Sequence, residues 1–135
     1  MTLEGECFCG EIGYRINGAL INARSCHCSR CRKAFNGSGS AYAEVDSKTF
    51  LWSRGESELT TYGSAQGFAL GFCRICGSTL CGLYFGDIHG VTLGSLISDP
   101  GIVIEKHIFV DSKATWDVIG GDAPQFAGSP TQATR

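Results

Sequence analysis

The sequence predicts a single all-β domain. Strand-length runs that alternate apolar and polar residues recur at close spacing, about nine in all. Nineteen glycines in 135 residues interrupt them with turns. Few runs favour a helix, and one domain is the default at this length. A chain of this size buries roughly 70% of its unfolded surface, enough for a proper core.

Leu3 to Cys7 is the first short strand, and Cys7-Phe8-Cys9-Gly10 is a tight turn in which Gly10 is free to take a positive φ. Ile12, Tyr14 and Ile16 alternate with Glu11, Gly13 and Arg15 as a half-buried strand. Asn17-Gly18 is a strong hairpin signal, so residues 19–23 are expected to return as the partner strand and deliver the chain to Cys26. Arg30 to Phe35 can form one helical turn, which Asn36-Gly37-Ser38-Gly39 ends. Further strands are expected at Ala41 to Val45, Thr49 to Trp52, Leu59 to Tyr62, Phe68 to Cys73, Thr79 to Phe85, Val91 to Leu96 and Val103 to Val110. Beyond Trp116 turn signals dominate. Residues 3–126 are the expected domain and residues 127–135 a flexible C-terminal tail, disordered from Thr131 to Arg135.

The net charge of −2 argues against a large phosphate-binding surface, and basic residues are few outside one loop, so no nucleic-acid partner is expected. No stretch is long and apolar enough to cross a membrane. Met1-Thr2-Leu3-Glu4 shows no basic segment followed by an apolar one, so no secretory signal is visible and the expected location is cytoplasmic. Eight cysteines in a reducing compartment point to metal ligands or reactive thiols rather than disulfides.

The chemistry centres on Ser25-Cys26-His27-Cys28-Ser29-Arg30-Cys31-Arg32-Lys33-Ala34-Phe35. In an extended segment the side chains of Cys26 and Cys28 point the same way. Cys31 rejoins them if the chain turns through Ser29 and Arg30. Three thiolates can then converge as three quarters of a tetrahedral zinc site, with one position open for chemistry. Cys7-x-Cys9 and Cys73-x-x-Cys76-Gly77 together make a second, closed site of four thiolates. A redox reading of Cys73-x-x-Cys76 is weakened by its position between strands rather than at the start of a helix. Cys81 is left over. In its apolar strand it is either a small buried hydrophobe or a fourth ligand that would close the central site.

Arg30, Arg32, Lys33 and Arg74 lie beside the cysteines and can offset the negative charge of the thiolate sites. His27 alternates away from Cys26 and Cys28, and His89 falls in the turn Gly86-Asp87-Ile88-His89-Gly90. All three histidines are expected to be structural or solvated, with His107 the strongest exception.

Gly5-Glu6-Cys7-Phe8-Cys9-Gly10, Cys26-His27-Cys28-Ser29-Arg30-Cys31-Arg32 and Phe72-Cys73-Arg74-Ile75-Cys76-Gly77-Ser78 resemble the glutathione-dependent formaldehyde-activating enzyme family, which includes centromere protein V. His107-Ile108-Phe109-Val110, Trp116 and Pro124-Gln125-Phe126 are similar to its C-terminal pattern. The resemblance implies coiled antiparallel sheets, a fold shared with methionine-R-sulfoxide reductases and translationally controlled tumour protein. It implies two zinc ions per chain: a structural one on Cys7, Cys9, Cys73 and Cys76, and a catalytic one on Cys26, Cys28 and Cys31. The catalytic ion would be held less tightly. The implied partners are glutathione or a related small thiol and a small aldehyde, and the implied activity is that of a carbon–sulfur lyase forming S-hydroxymethylglutathione. In that setting Arg30, Arg32 and Lys33 would bind the carboxylates of glutathione. The family pattern does not require a cysteine at Cys81.

Two rival readings remain open. One is a non-catalytic, zinc-stapled binding module. The other is a thiol enzyme like the methionine sulfoxide reductases, which would need Cys81 as a free nucleophile although a thiolate is disfavoured in an apolar strand.

Overall fold

The structure is a computed structural model and describes residues 2–129. The protein is mostly sheet, with two sheets of three and seven strands and one α-helix among the described residues. No described helix is long and apolar enough to cross a membrane. The chain divides into two compact units, one comprising the residues up to Ile21 with Ala43–Gly101, the other Asn22–Tyr42 with the residues from Ile102 onward.

In the first unit, β1 (Leu3–Glu6), β2 (Gly13–Ile16) and β5 (Phe50–Arg54) form the smaller sheet, antiparallel in the order β1-β2-β5. Leu3, Tyr14 and Ile16 are its buried core, flanked by half-buried aromatics. Tyr14 is almost fully buried, stacks on Phe50 at 5.2 Å and meets Trp52 edge-on. Tyr14 lies opposite Gly5 in register, and a Cβ at Gly5 would collide with its ring, so glycine makes room for the aromatic. The Tyr14 hydroxyl meets Ser95 Oγ at 2.7 Å, which satisfies its polar end. Five strands of the larger sheet also lie here: β4 (Tyr42–Val45), β6 (Leu59–Gly63), β7 (Phe68–Cys73), β8 (Thr79–Tyr84) and β9 (Asp87–Thr92), in the order β4-β9-β8-β7-β6. Leu80, Cys81 and Val91 are almost fully buried within this group.

In the second unit, β3 (Leu20–Cys26) pairs in parallel with β10 (Lys106–Ile108), opposing Cys26 to Ile108. β3 leads into α1 (Ser29–Phe35), which is capped by Cys28 and stopped by Asn36 in the left-handed conformation. The backbone of the C-terminal segment is held against β10 and the turn that follows it. His107 and Val110 N–H donate to Pro124 and Phe126 carbonyls, and Phe109 N–H donates to Gly128 O at 2.9 Å.

Several expectations need correction. Asn17-Gly18 does not close a hairpin: β2 pairs with β1 and β5 instead. A two-residue hairpin of the favoured kind needs positive φ at both central residues, and neither Asn17 nor Gly18 has it. The tight turn lies at Phe85-Gly86, where both φ values are positive, so His89 sits within β9 rather than in a turn. The expected strand from Val103 to Val110 shortens to Lys106–Ile108, and its partner β3 is parallel where only antiparallel pairs were expected. The helical turn from Arg30 extends to seven residues. Within the span expected as a tail, Gly128 O accepts from Phe109 N–H at 2.9 Å and Ala127 O from Asp111 N–H at 3.4 Å. The disorder expected for Thr131 to Arg135 falls outside the described residues.

Cys81 is 1% exposed, and its sulfur fills the space across from Gly71, where an added Cβ would sit 2.7 Å from Sγ. Cys81→Ala is expected to cost on the order of 1 kcal/mol. Gly71→Ala alone should cost about 1–3 kcal/mol through overpacking, and most of that cost should vanish when combined with Cys81→Ala. Denaturant unfolding of the double-mutant cycle tests this. An equal cost of Gly71→Ala in both backgrounds would show that the sulfur is not the obstruction.

Candidate metal centres

Cys7, Cys9, Cys73 and Cys76 converge in the first unit, their sulfurs all within 4.8 Å of one another. Two turns at strand ends deliver them. In the first, Gly10 N–H donates to Cys7 O at 3.1 Å and Gly10 takes φ 83°. In the second, Gly77 N–H donates to Cys73 O at 2.8 Å and Gly77 takes φ 81°. A side chain at either position would be strained. The Ile12 N–H points at Cys7 Sγ at 3.3 Å. Ser78 ties the two turns together, because its Oγ accepts from Phe8 N–H at 2.8 Å and lies 3.3 Å from Cys76 Sγ. Cys7–Cys9 and Cys9–Cys73 sulfurs are 3.6 and 3.8 Å apart. The edge of a tetrahedral zinc–thiolate site is about 3.8 Å, so this donor set fits such an ion.

Cys26, Cys28 and Cys31 converge in the second unit, again within 4.8 Å. Cys26 ends β3. Its N–H donates to Ser40 Oγ at 3.1 Å and its carbonyl accepts from Ser40 N–H at 3.0 Å. Gly39 passes so close that a Cβ there would lie 2.6 Å from Cys26 O. Cys28 is the N-cap of α1, its sulfur accepting from Cys31 N–H at 3.3 Å. No fourth His, Cys, Asp or Glu joins these three among the described residues. Cys81 belongs to neither cluster.

The sulfurs perturb one another. Hydrogen bonding with the Cys31 thiol draws the Cys26 thiol down to about 6 against the cost of burial, and Cys31 is pushed up in return. Burial opposes ionisation of Cys76, yet bonds from the hydroxyl and backbone of Ser78 bring it down to about 5. Three or four sulfurs this close cannot all ionise without a compensating cation, which each donor set could hold.

Arg30 is exposed, while Arg32 is half-buried and donates from Nη2 to Ser112 O at 3.2 Å. Arg32 and Lys33 line a cavity of about 300 Å³ with Asn36, Gly37 and Trp116, whereas Arg30 does not reach it. Arg74, beside the four-cysteine cluster, pairs with Glu58. His27 is 2% exposed, and its Nε2 lies 2.9 Å from His107 Nδ1. Both imidazoles are lowered, chiefly by burial. Ser40 escaped the sequence reading because a single polar residue carries no local pattern, and Asn36 and Ser78 entered it only as part of a helix stop and of a motif, with no role at a site. Trp116 entered the reading as the end of the strand-rich region and through the family resemblance.

Ser78→Ala removes the oxygen that bridges the two cysteine turns. It is expected to weaken metal retention by the four-cysteine cluster roughly 10–100-fold and leave the three-cysteine cluster unchanged. Competition with a chromophoric chelator checks this. Unaltered release kinetics from both clusters would show that Ser78 does not support the ligands.

The chain is similar to a protein of Rhodobacter sphaeroides solved by crystallography, with 27% identity, coverage of 75% of this chain and 97% of that chain, and a TM-score of 0.54. No curated protein matches the sequence. A family model described as glutathione-dependent formaldehyde-activating enzyme matches residues 2–112. With its two cysteine clusters inside that span, the chain belongs to the glutathione-dependent formaldehyde-activating enzyme family.

Proposed function

We propose that the protein is a zinc-dependent carbon–sulfur lyase-type enzyme, like S-hydroxymethylglutathione synthase, that joins glutathione to a small aldehyde and can release it again. The observation that carries this reading is the three-cysteine cluster without a fourth protein ligand among the described residues. Cys26, Cys28 and Cys31 would hold the catalytic ion; Cys7, Cys9, Cys73 and Cys76 would hold a structural one. A zinc ion on three thiolates supplies a Lewis-acidic position at which an incoming thiol is kept deprotonated.

The chain's own residues set the conditions. Ser40 and Gly39 fix the backbone of Cys26, and the α1 cap fixes Cys28, so the three sulfurs keep one geometry. Arg30, Arg32 and Lys33 follow on the same short helix. They offset the residual negative charge of three thiolates on a divalent ion and can hold the carboxylates of glutathione. In the forward direction the glutathione sulfur bonds to the aldehyde carbon. The carbonyl π pair moves to oxygen, which takes up the proton lost by the thiol, so no oxidant or reductant is needed. The rival thiol-enzyme reading is opposed by Cys81, whose burial pushes its thiol up to about 12.

Cys28→Ala is expected to lose one zinc per chain and abolish glutathione-dependent aldehyde consumption, with Tm changed by only a few degrees. Cys73→Ser should instead unfold the domain or lower its Tm severely, because a structural metal contributes folding energy directly. Zinc content, thermal melting and aldehyde consumption on both variants test the division. Equal collapse of fold and activity in Cys28→Ala would make the central ion structural and favour a non-catalytic zinc-stapled module.

A further inference from the structure

We propose that the outer edge of β6 is a self-association surface. A second copy of the chain adds its own β6 there, antiparallel, about a two-fold axis at Thr61. β6 (Leu59–Gly63) lies in the first unit and ends the larger sheet.

An open edge is the first reason. Among the described residues the other sheet edges are covered or charged. Glu4 O of β1 accepts from Ile97 N–H, and Gly5 bridges to Leu96. His107 of β10 bridges to Gln125. β5 ends in Arg54, whose guanidinium is paired with Glu6. The outer side of β6 has no backbone partner among the described residues. Nor does the strand carry a usual deterrent to pairing. Leu59-Thr60-Thr61-Tyr62-Gly63 has no charge and no proline, and its register with β7 runs without a bulge.

The phase of the backbone is the second. Arg74 N–H donates to Glu58 O at one end of the β6–β7 ladder, and Ser64 N–H donates to Phe68 O at the other. Hydrogen-bonded pairs alternate along an antiparallel ladder. Thr60 and Tyr62 therefore turn their N–H and C=O toward β7, while Leu59 and Thr61 turn theirs outward. Gly63, at φ 134°, ends the strand. A second β6 centred on Thr61 overlaps the two strands over their full length. The two copies of Thr61 then exchange both N–H···O bonds across the axis. Leu59 stands opposite Gly63 on either side.

Side chains and charge are the third. Thr60 and Tyr62 share a face with Phe72 and Leu70, their partners in β7. In the dimer each Tyr62, 78% exposed in the single chain, lies opposite Thr60 of the other copy. An aromatic facing a β-branched residue is a favourable cross-strand pair. Glu56 and Glu58 precede the strand, and this register directs them to the uncharged Ser64-Ala65-Gln66 turn of the other copy. No like charges meet. One register thus suits both copies at once, and the two-fold arrangement closes on itself.

Sedimentation velocity of the zinc-loaded chain, from about 1 to 100 μM, tests this. A monomer–dimer equilibrium is expected. Thr61→Lys and Thr61→Glu each bring like charges together at the axis and should weaken the dimer at least roughly 10-fold. An equimolar mixture of the two should restore it as a heterodimer, because opposite charges then face each other. Thr61→Pro removes an outward N–H while sparing the bonds to β7, and should also give monomer. Circular dichroism and zinc content check that each variant is folded. A wild-type chain that stays monomeric overturns the proposal and leaves the edge to a strand of another protein. A dimer that all three variants leave intact also overturns it, since another surface then holds the copies together. Loss of the dimer in both charge variants without recovery on mixing overturns the two-fold register at Thr61.

Discussion

Mutual repulsion among thiolates is the constraint on which both sites depend. In the four-cysteine cluster neighbouring sulfurs approach to 3.6 and 3.8 Å. That spacing is stable only if protons are shared or a cation is held between them. Cys9 and Cys73 are separated by 64 positions, so a cation there would close a long loop and remove much of its freedom in the unfolded chain. The local architecture prepares for it. Two glycines with positive φ shape the turns, amide hydrogens point at sulfur, and Ser78 joins one turn to the other.

The two clusters differ in ways that suit different tasks. The first is built from turns at the ends of strands, contains four donors, and has its nearby cation, Arg74, already committed to Glu58. The second is built from a strand end, a helix cap and the first turn of a short helix, and contains three donors. Among the described residues no carboxylate pairs with Arg30, Arg32 or Lys33, the cations that follow it. A closed donor set with neutralised surroundings suits a structural ion. A three-donor set beside uncommitted positive charge suits the reception of an anionic ligand.

What could be read from sequence follows the range of the interactions involved. The cysteine spacings are local and sort seven cysteines into the groups of four and three that the structure brings together, and Phe68–Cys73 matches its expected span to the residue because alternation is local too. Asn17-Gly18 misled because a turn motif says nothing about the distant strand that competes for pairing. β2 takes β5 as its partner, more than thirty residues away. The parallel pair of β3 and β10 likewise joins segments with no local signal for each other. Ser40, Ser78 and the position of Trp116 beside Arg32 and Lys33 are long-range in the same sense.

His27 shows how one local rule acquires meaning only through a distant partner. Strand-like alternation sends Cys26 and Cys28 to one side and the residue between them to the other. That residue is almost fully buried, and its Nε2 meets His107 Nδ1 at 2.9 Å, while its own N–H donates to Ile108 O. Whichever ring donates, the bond requires a proton on only one of the two facing nitrogens, and burial favours both neutral rings. The peptide between two ligands is therefore anchored from behind by a side-chain bond and a backbone bond to β10. A loop fixed in this way presents its sulfurs without needing a fourth ligand to hold them, which is the condition an open coordination position imposes on the protein around it.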